Sequence, residues 1–262
     1  MAPVIDPTGA KTVGGNSIAD AIAVFFGAAR QLAASPTDAA QKQMLVQAGT
    51  NLSDRFKFAS EGLSQVRSDL TDSIRMGVDE ANQLLGSLRE INGMIATEES
   101  TTGFKALALR DQRQARLEDL AQICDFEVST LAGAPNQIEI TARSSSGARV
   151  VMLSGDNPHV SLTFNGSSVQ YVGGTEDIEF RGGSIKGNLG AREGALKTLA
   201  DDLDKLAGQV ASAVNAAYNP TSVVGQDFFD SGGISAGTIR LASGLTAASV
   251  RASGYGGAAR SE

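Results

Sequence analysis

Apolar residues recur between Leu45 and Ile95 at a mean step of about 3.6 residues, the spacing of a single helical face. The stripe runs through Leu52, Phe56, Leu63, Val66, Leu70, Ile74, Val78, Leu85, Leu88 and Ile91, with alanines at intervening steps, and no proline interrupts it. This predicts one helix from about Thr37 to Ala96, roughly 90 Å long at 1.5 Å per residue. A shorter stripe precedes it: Ile18, Ile22, Phe25, Ala29 and Leu32. Asn16 or Ser17 is placed to cap that helix, and Ser35-Pro36 closes it because proline disfavours helical geometry in the residue before it. A third helical pattern carries Leu109, Leu117, Leu120 and Ile123.

The period then falls to two. Short strands are predicted over Gln137–Ala142, Val150–Leu153, Val160–Phe164 and Val169–Val172, separated by turn residues. Asn165-Gly166 between the last two signals a hairpin. Helix returns from Ser184 to Asn219 with Ile185, Leu189, Leu196, Leu199, Leu203, Leu206, Val210 and Val214 in step. The Gly- and Ser-rich tail holds Asp227-Phe228-Phe229-Asp230 and a strand-like run, Gly237–Leu241. The expected fold is mainly α with a small antiparallel β element, an elongated rod of long antiparallel helices. Its parts are a leader (1–15), a first helical part (16–125), the β element (126–183), a return helix (184–219) and a β-like tail (220–262). Gly49, Gly62, Gly77, Gly86 and Gly93 lie within the long helix, where each costs about 1 kcal/mol against alanine. They read either as sites of close helix approach or as tolerated surface glycines.

Charge and composition narrow the function. The net charge of −7, with 22 basic residues scattered among 29 acids, argues against nucleic acid, which needs a basic surface. No apolar run is long enough for a membrane-spanning helix, and residues 1–15 lack the basic and apolar regions of a signal peptide. The one cysteine, Cys124, permits no internal disulfide and reads as a buried small hydrophobe. The one histidine, His159, cannot supply a multi-histidine metal site and reads as a loop residue. Asp201, Asp202 and Asp204 read as a solvated helix face. The pairs Gly173-Gly174, Gly182-Gly183 and Gly256-Gly257 lack phosphate-loop spacing. No catalytic residue, metal or cofactor is expected.

Four motifs in order resemble the flagellar hook-associated protein 1 family of the hook–filament junction. They are Val24-Phe25-Phe26 with Ala34-Ser35-Pro36; Leu109-Arg110-Asp111-Gln112-Arg113 with Leu117 and Leu120; Gly182-Gly183-Ser184-Ile185 with Val214-Asn215; and Asp227-Phe228-Phe229 with Val250-Arg251-Ala252-Ser253. The resemblance implies a flagellin-like axial-protein core and a non-catalytic junction subunit acting through subunit packing. It implies hook protein and neighbouring subunits as partners, an export chaperone for the full-length chain, and an extracellular flagellar location reached without a cleaved signal. It also implies a middle fragment lacking the family's terminal helices, and hence monomeric. Other axial proteins (flagellin, the second junction protein) and an adhesin on a helical stalk are the alternatives. The structural and interaction residues expected are Leu63, Leu70, Ile74, Leu85, Leu199, Leu203, Leu206, Phe228 and Phe229.

Overall fold

A computed structural model describes residues 17–232 and 234–251. The leader, residues 1–15, and the end of the tail lie outside the described residues. Among the described residues three helices come first, α1 (Ile18–Ala34), α2 (Ala39–Thr102) and α3 (Leu107–Ile123). Local chemistry sets their ends. Ser17 Oγ accepts from Asp20 N at 3.0 Å, capping α1, and Asp38 Oδ1 accepts from Ala40 N at 2.8 Å ahead of α2. Five strands follow, β1 (Glu127–Leu131), β2 (Ala134–Arg143), β3 (Arg149–Ser154), β4 (Leu162–Phe164) and β5 (Val169–Tyr171). Then come α4 (Gly183–Gly190), a six-residue π-helical turn (Ala191–Leu196) and α5 (Lys197–Tyr218), followed by the tail.

The chain divides into two compact units, Gln65–Thr198 and Met1–Ser64 with Leu199–Glu262. In the first, β1, β2 and β3 form an antiparallel sheet in that order, and β4 and β5 form a separate hairpin. Register bulges break the β1–β2 pairing at Thr130/Leu131 and the β2–β3 pairing at Ile140/Thr141. The hairpin turns over residues 165–168, with Asn165 Oδ1 accepting from Ser167 N and Ser168 N, both at 2.9 Å. Ile74, Val78, Leu85 and Leu88 of α2 share one core with Leu120, Ile140, Met152 and Ile185. Where α4 begins, Asp125 Oδ1 accepts from Arg181 N at 2.7 Å and Gly182 N at 3.2 Å. Gly183 has φ +81°, and a Cβ there would strike the Ile123 carbonyl. Gly183, though not Gly182, is therefore a steric requirement of the turn.

The second unit is built around aromatic rings. Phe25 of α1, Leu45, Leu52 and Phe56 of α2, and Val210 and Val214 of α5 pack with Phe228 and Phe229 from the tail. Phe228 stacks edge-on against Phe25 at 5.4 Å, Tyr218 at 5.4 Å and Phe229 at 5.1 Å. Gly49 lies directly beneath, where a Cβ would come within 2.8 Å of Phe228 Cε1. Gly49 thus marks a close approach, as does Gly77 beneath Ile185 (3.1 Å), whereas nothing lies near Gly62.

Three expectations are corrected. Strand β1 was missed: its residues are almost all exposed, so Val128 and Thr130 carry no buried-face alternation. The tail run Gly237–Leu241 makes only an isolated bridge, Phe229 with Leu241. The return helix is not uniform, because the π-turn interrupts it before Lys197.

Candidate subunit-contact surface

The reactive groups are placed for structure. Cys124 is fully buried, and burial, reinforced by Asp125, pushes its thiol up to about 12. A thiol so rarely ionised is a poor nucleophile. Iodoacetamide near pH 8 is expected to leave Cys124 unmodified in the native protein and to alkylate it in guanidinium; modification without denaturant would contradict its burial. Burial, and then Arg89, lowers the pKa of His159. Among the described residues no group of His, Cys, Asp or Glu could hold a metal ion.

Asn215, a polar side chain of the third motif, binds backbone. Asn215 Oδ1 accepts from Phe228 N at 3.1 Å and Phe229 N at 2.8 Å, and its Nδ2 donates to Phe229 O at 2.8 Å. One α5 side chain therefore fixes the tail that delivers both rings. Asn219 repeats the device, with Oδ1 accepting from Val223 N at 3.0 Å and Nδ2 donating to Asp227 Oδ1 at 2.8 Å. Asp204 departs from a purely solvated role, since its Oδ1 accepts from Ala236 N at 2.8 Å.

Arg110 Nε and Nη2 donate to the two oxygens of Glu99 at 2.7 and 2.9 Å, and Ala106 N donates to Glu99 Oε1 at 3.0 Å. The Arg110 hydrogen bond, helped by that of Ala106, outweighs burial and lowers the Glu99 carboxyl from its ordinary 4.5 to about 2. Nearby, buried Arg113 donates to Asn92 Oδ1 and Asn136 O, both at 2.9 Å. A carboxyl whose folded pKa is depressed stabilises the fold above its unfolded value and loses that contribution as pH falls through the folded one. Glu99→Gln is therefore expected to melt below the wild type near pH 6. The gap should close between pH 4.5 and 2, and a gap independent of pH would refute the ion pair's part.

The long apolar stripe is not buried along its whole length. Ile74 and Leu85 are fully buried, but Leu63 and Leu70 are only half-buried, Val66 is exposed, and no residue from 57 to 73 is buried. In α5 the buried face is Ala207, Val210, Ala211 and Val214. Leu203 is half-buried at its edge, while Leu199 and Leu206 are 56% and 38% exposed. The expected leucine seam is corrected here: the alanines allow the close approach, and the larger residues face outward. Phe228 and Phe229 are core residues.

Exposed apolar side chains also line a groove of about 440 Å³ between α1 and α2, with Ala21 and Ala48 as small residues and Val24 (60% exposed) and Phe58 (73% exposed) beside Asn51 and Asp54. Apolar residues on two helices separated by such a groove can receive a third helix. The sequence reading missed Phe58, which lies off the stripe.

Comparisons with known proteins agree with this architecture. The family model described as "Flagellar hook-associated protein FlgK helical domain" matches residues 10–229. The chain is similar to Flagellar hook-associated protein 1 of Bacillus subtilis (strain 168), with 26% identity over 238 residues, covering 79% of this chain and 46% of that protein. It shares the fold of the flagellar hook junction protein FlgK from Burkholderia pseudomallei, with a TM-score of 0.68 and 21% identity over 83% of this chain and 42% of that one. The chain thus spans less than half the length of these relatives.

Proposed function

The chain belongs to the FlgK family of flagellar hook-associated proteins, whose helical domain it carries over residues 10–229, and from this we propose that it is part of a non-catalytic junction subunit between hook and filament. The observation that carries the reading is the family match over most of the chain, together with a shared fold. The relatives are named for the hook and its junction. Its partners on this reading are hook protein and neighbouring junction subunits, with an export chaperone for the full-length chain. Its place is outside the cell, reached through the flagellar secretion system without signal cleavage. No helix among the described residues is long and apolar enough to cross a membrane, which is compatible with that route.

The contact residues we assign are the exposed Leu199 and Leu206, the half-buried Leu63, Leu70 and Leu203, and the groove that holds Val24 and Phe58. Ile74, Leu85, Phe228 and Phe229 act indirectly, by holding the fold. Deleting the full-length gene is expected to leave hooks without filaments and flagellin in the medium, restored by the intact gene. Normal filaments on the deletion strain's hooks would defeat the assignment. Leu199→Asp in the full-length protein is expected to change stability by less than about 0.5 kcal/mol, as for an exposed site, yet reduce filament-bearing cells. A variant with normal motility would remove Leu199 from the contact surface.

A further inference from the structure

Within the unit Gln65–Thr198, α2 and α3 form a second apolar surface, independent of the junction assignment. A shallow depression of about 810 Å³ is lined by Glu90, Met94, Thr97, Glu98, Thr101 and Leu109. Met94 is exposed. Two residues beyond Thr102, the last α2 residue of this face, stands Phe104, 80% exposed, followed by Leu107, 66% exposed. Their loop is fixed: Glu99 holds Ala106 N and the Arg110 guanidinium, and Thr102 Oγ1 accepts from Phe104 N at 3.2 Å. Rigid, solvent-exposed apolar side chains cost little ordering entropy when a partner covers them.

The charge around this surface indicates what covers it. Glu90 and Glu98 line it, and Asp156 borders it at Gly93, its Cβ 3.5 Å from where a glycine Cβ would stand. Glu99 is neutralised by Arg110, but among the described residues neither Glu90 nor Glu98 has an ion-pair partner. The cations nearby are Lys105 in the loop and Arg89, whose Nε donates to Asp156 O at 3.1 Å. From Glu90 to Thr102 the face runs about 18 Å at 1.5 Å per residue, room for a helix of about twelve residues. A second copy of this chain, with net charge −7, is a less complementary occupant of this face than a basic helix.

We propose that this face docks a basic amphipathic helix of a partner protein, its apolar side on Met94 and Leu109 and its Lys or Arg flanks against Glu90 and Glu98. The test uses fluorescein-labelled fifteen-residue helical peptides with the whole chain, read by anisotropy: a Leu/Lys amphipath, a Leu/Glu peptide of the same pattern, and a Lys/Ser peptide without an apolar face. Saturable binding is expected for Leu/Lys alone, weakening as salt rises. Met94→Ser/Leu109→Ser and, separately, Glu90→Gln/Glu98→Gln should each weaken it at least tenfold, whereas Val24→Ser/Phe58→Ser in the other groove should not. The glutamine pair alters only surface groups, so it keeps the test valid if the serine pair fails to fold. Equal binding by the glutamine pair, equal binding of Leu/Glu, no saturation by Leu/Lys, or self-association that Leu/Lys does not displace would each overturn the proposal.

Discussion

Leu85→Asp is expected to cost at least about 4 kcal/mol, the largest effect of any single change considered for this chain. Leu85 is fully buried in the core that joins α2 to Leu120, Ile140 and Met152. The carboxylate would have to lie there unpaired or take up a proton, and the lost leucine volume adds a cavity cost. For a chain of this size about 4 kcal/mol corresponds to a fall in Tm of roughly 8–16 °C. The check is thermal unfolding followed by circular dichroism, with Leu199→Asp alongside. If the two substitutions lower Tm equally, burial does not distinguish these positions.

The second large effect is expected at Phe228. Phe228→Ala should cost about 3–5 kcal/mol, the range for deleting a buried aromatic ring. The ring is 1% exposed and meets Phe25, Tyr218 and Phe229. Gly49 sits against it and cannot fill the void without a side chain. Phe26→Ala is the comparison: Phe26 is exposed, so its truncation should shift the melt far less. Equal shifts would mean that the tail does not hold the ring in the core.

The long helix, its neighbour's serine cap and the strand-bearing segment were legible because each rests on local rules. Ser17 caps α1 through atoms three residues apart, and the 3.6 period is a property of adjacent turns. What was not legible depends on partners distant in sequence. The stripe could not show that burial stops after Phe56 and resumes at Ile74, since Leu63 and Leu70 are no less apolar than Leu85. In α5 hydrophobicity favoured the leucines, whereas shape favoured Ala207 and Ala211, which permit close packing. Asn215 is an ordinary polar helix residue until the tail folds back onto it, and Glu99 reads as solvated until Arg110 arrives from α3. The Arg110 and Asn215 motifs stand in the sequence, but their roles as carboxylate and backbone clamps depend on partners that only the fold brings to them.

The contact surface also follows from what burial leaves over. Residues that anchor the two cores cannot also face neighbours, which separates Ile74, Leu85, Phe228 and Phe229 from Leu199, Leu206, Val24 and Phe58. Substitutions in the first set should act through stability and those in the second through assembly. A mutant panel read by Tm and by motility should therefore fall into two groups.

Immunogold labelling of isolated hook–filament assemblies, with a tag on the full-length protein, decides the junction role most directly. Gold confined to a short zone where hook meets filament is the expected image. Gold spread along filaments, or absent from assemblies that still carry them, would contradict a junction subunit.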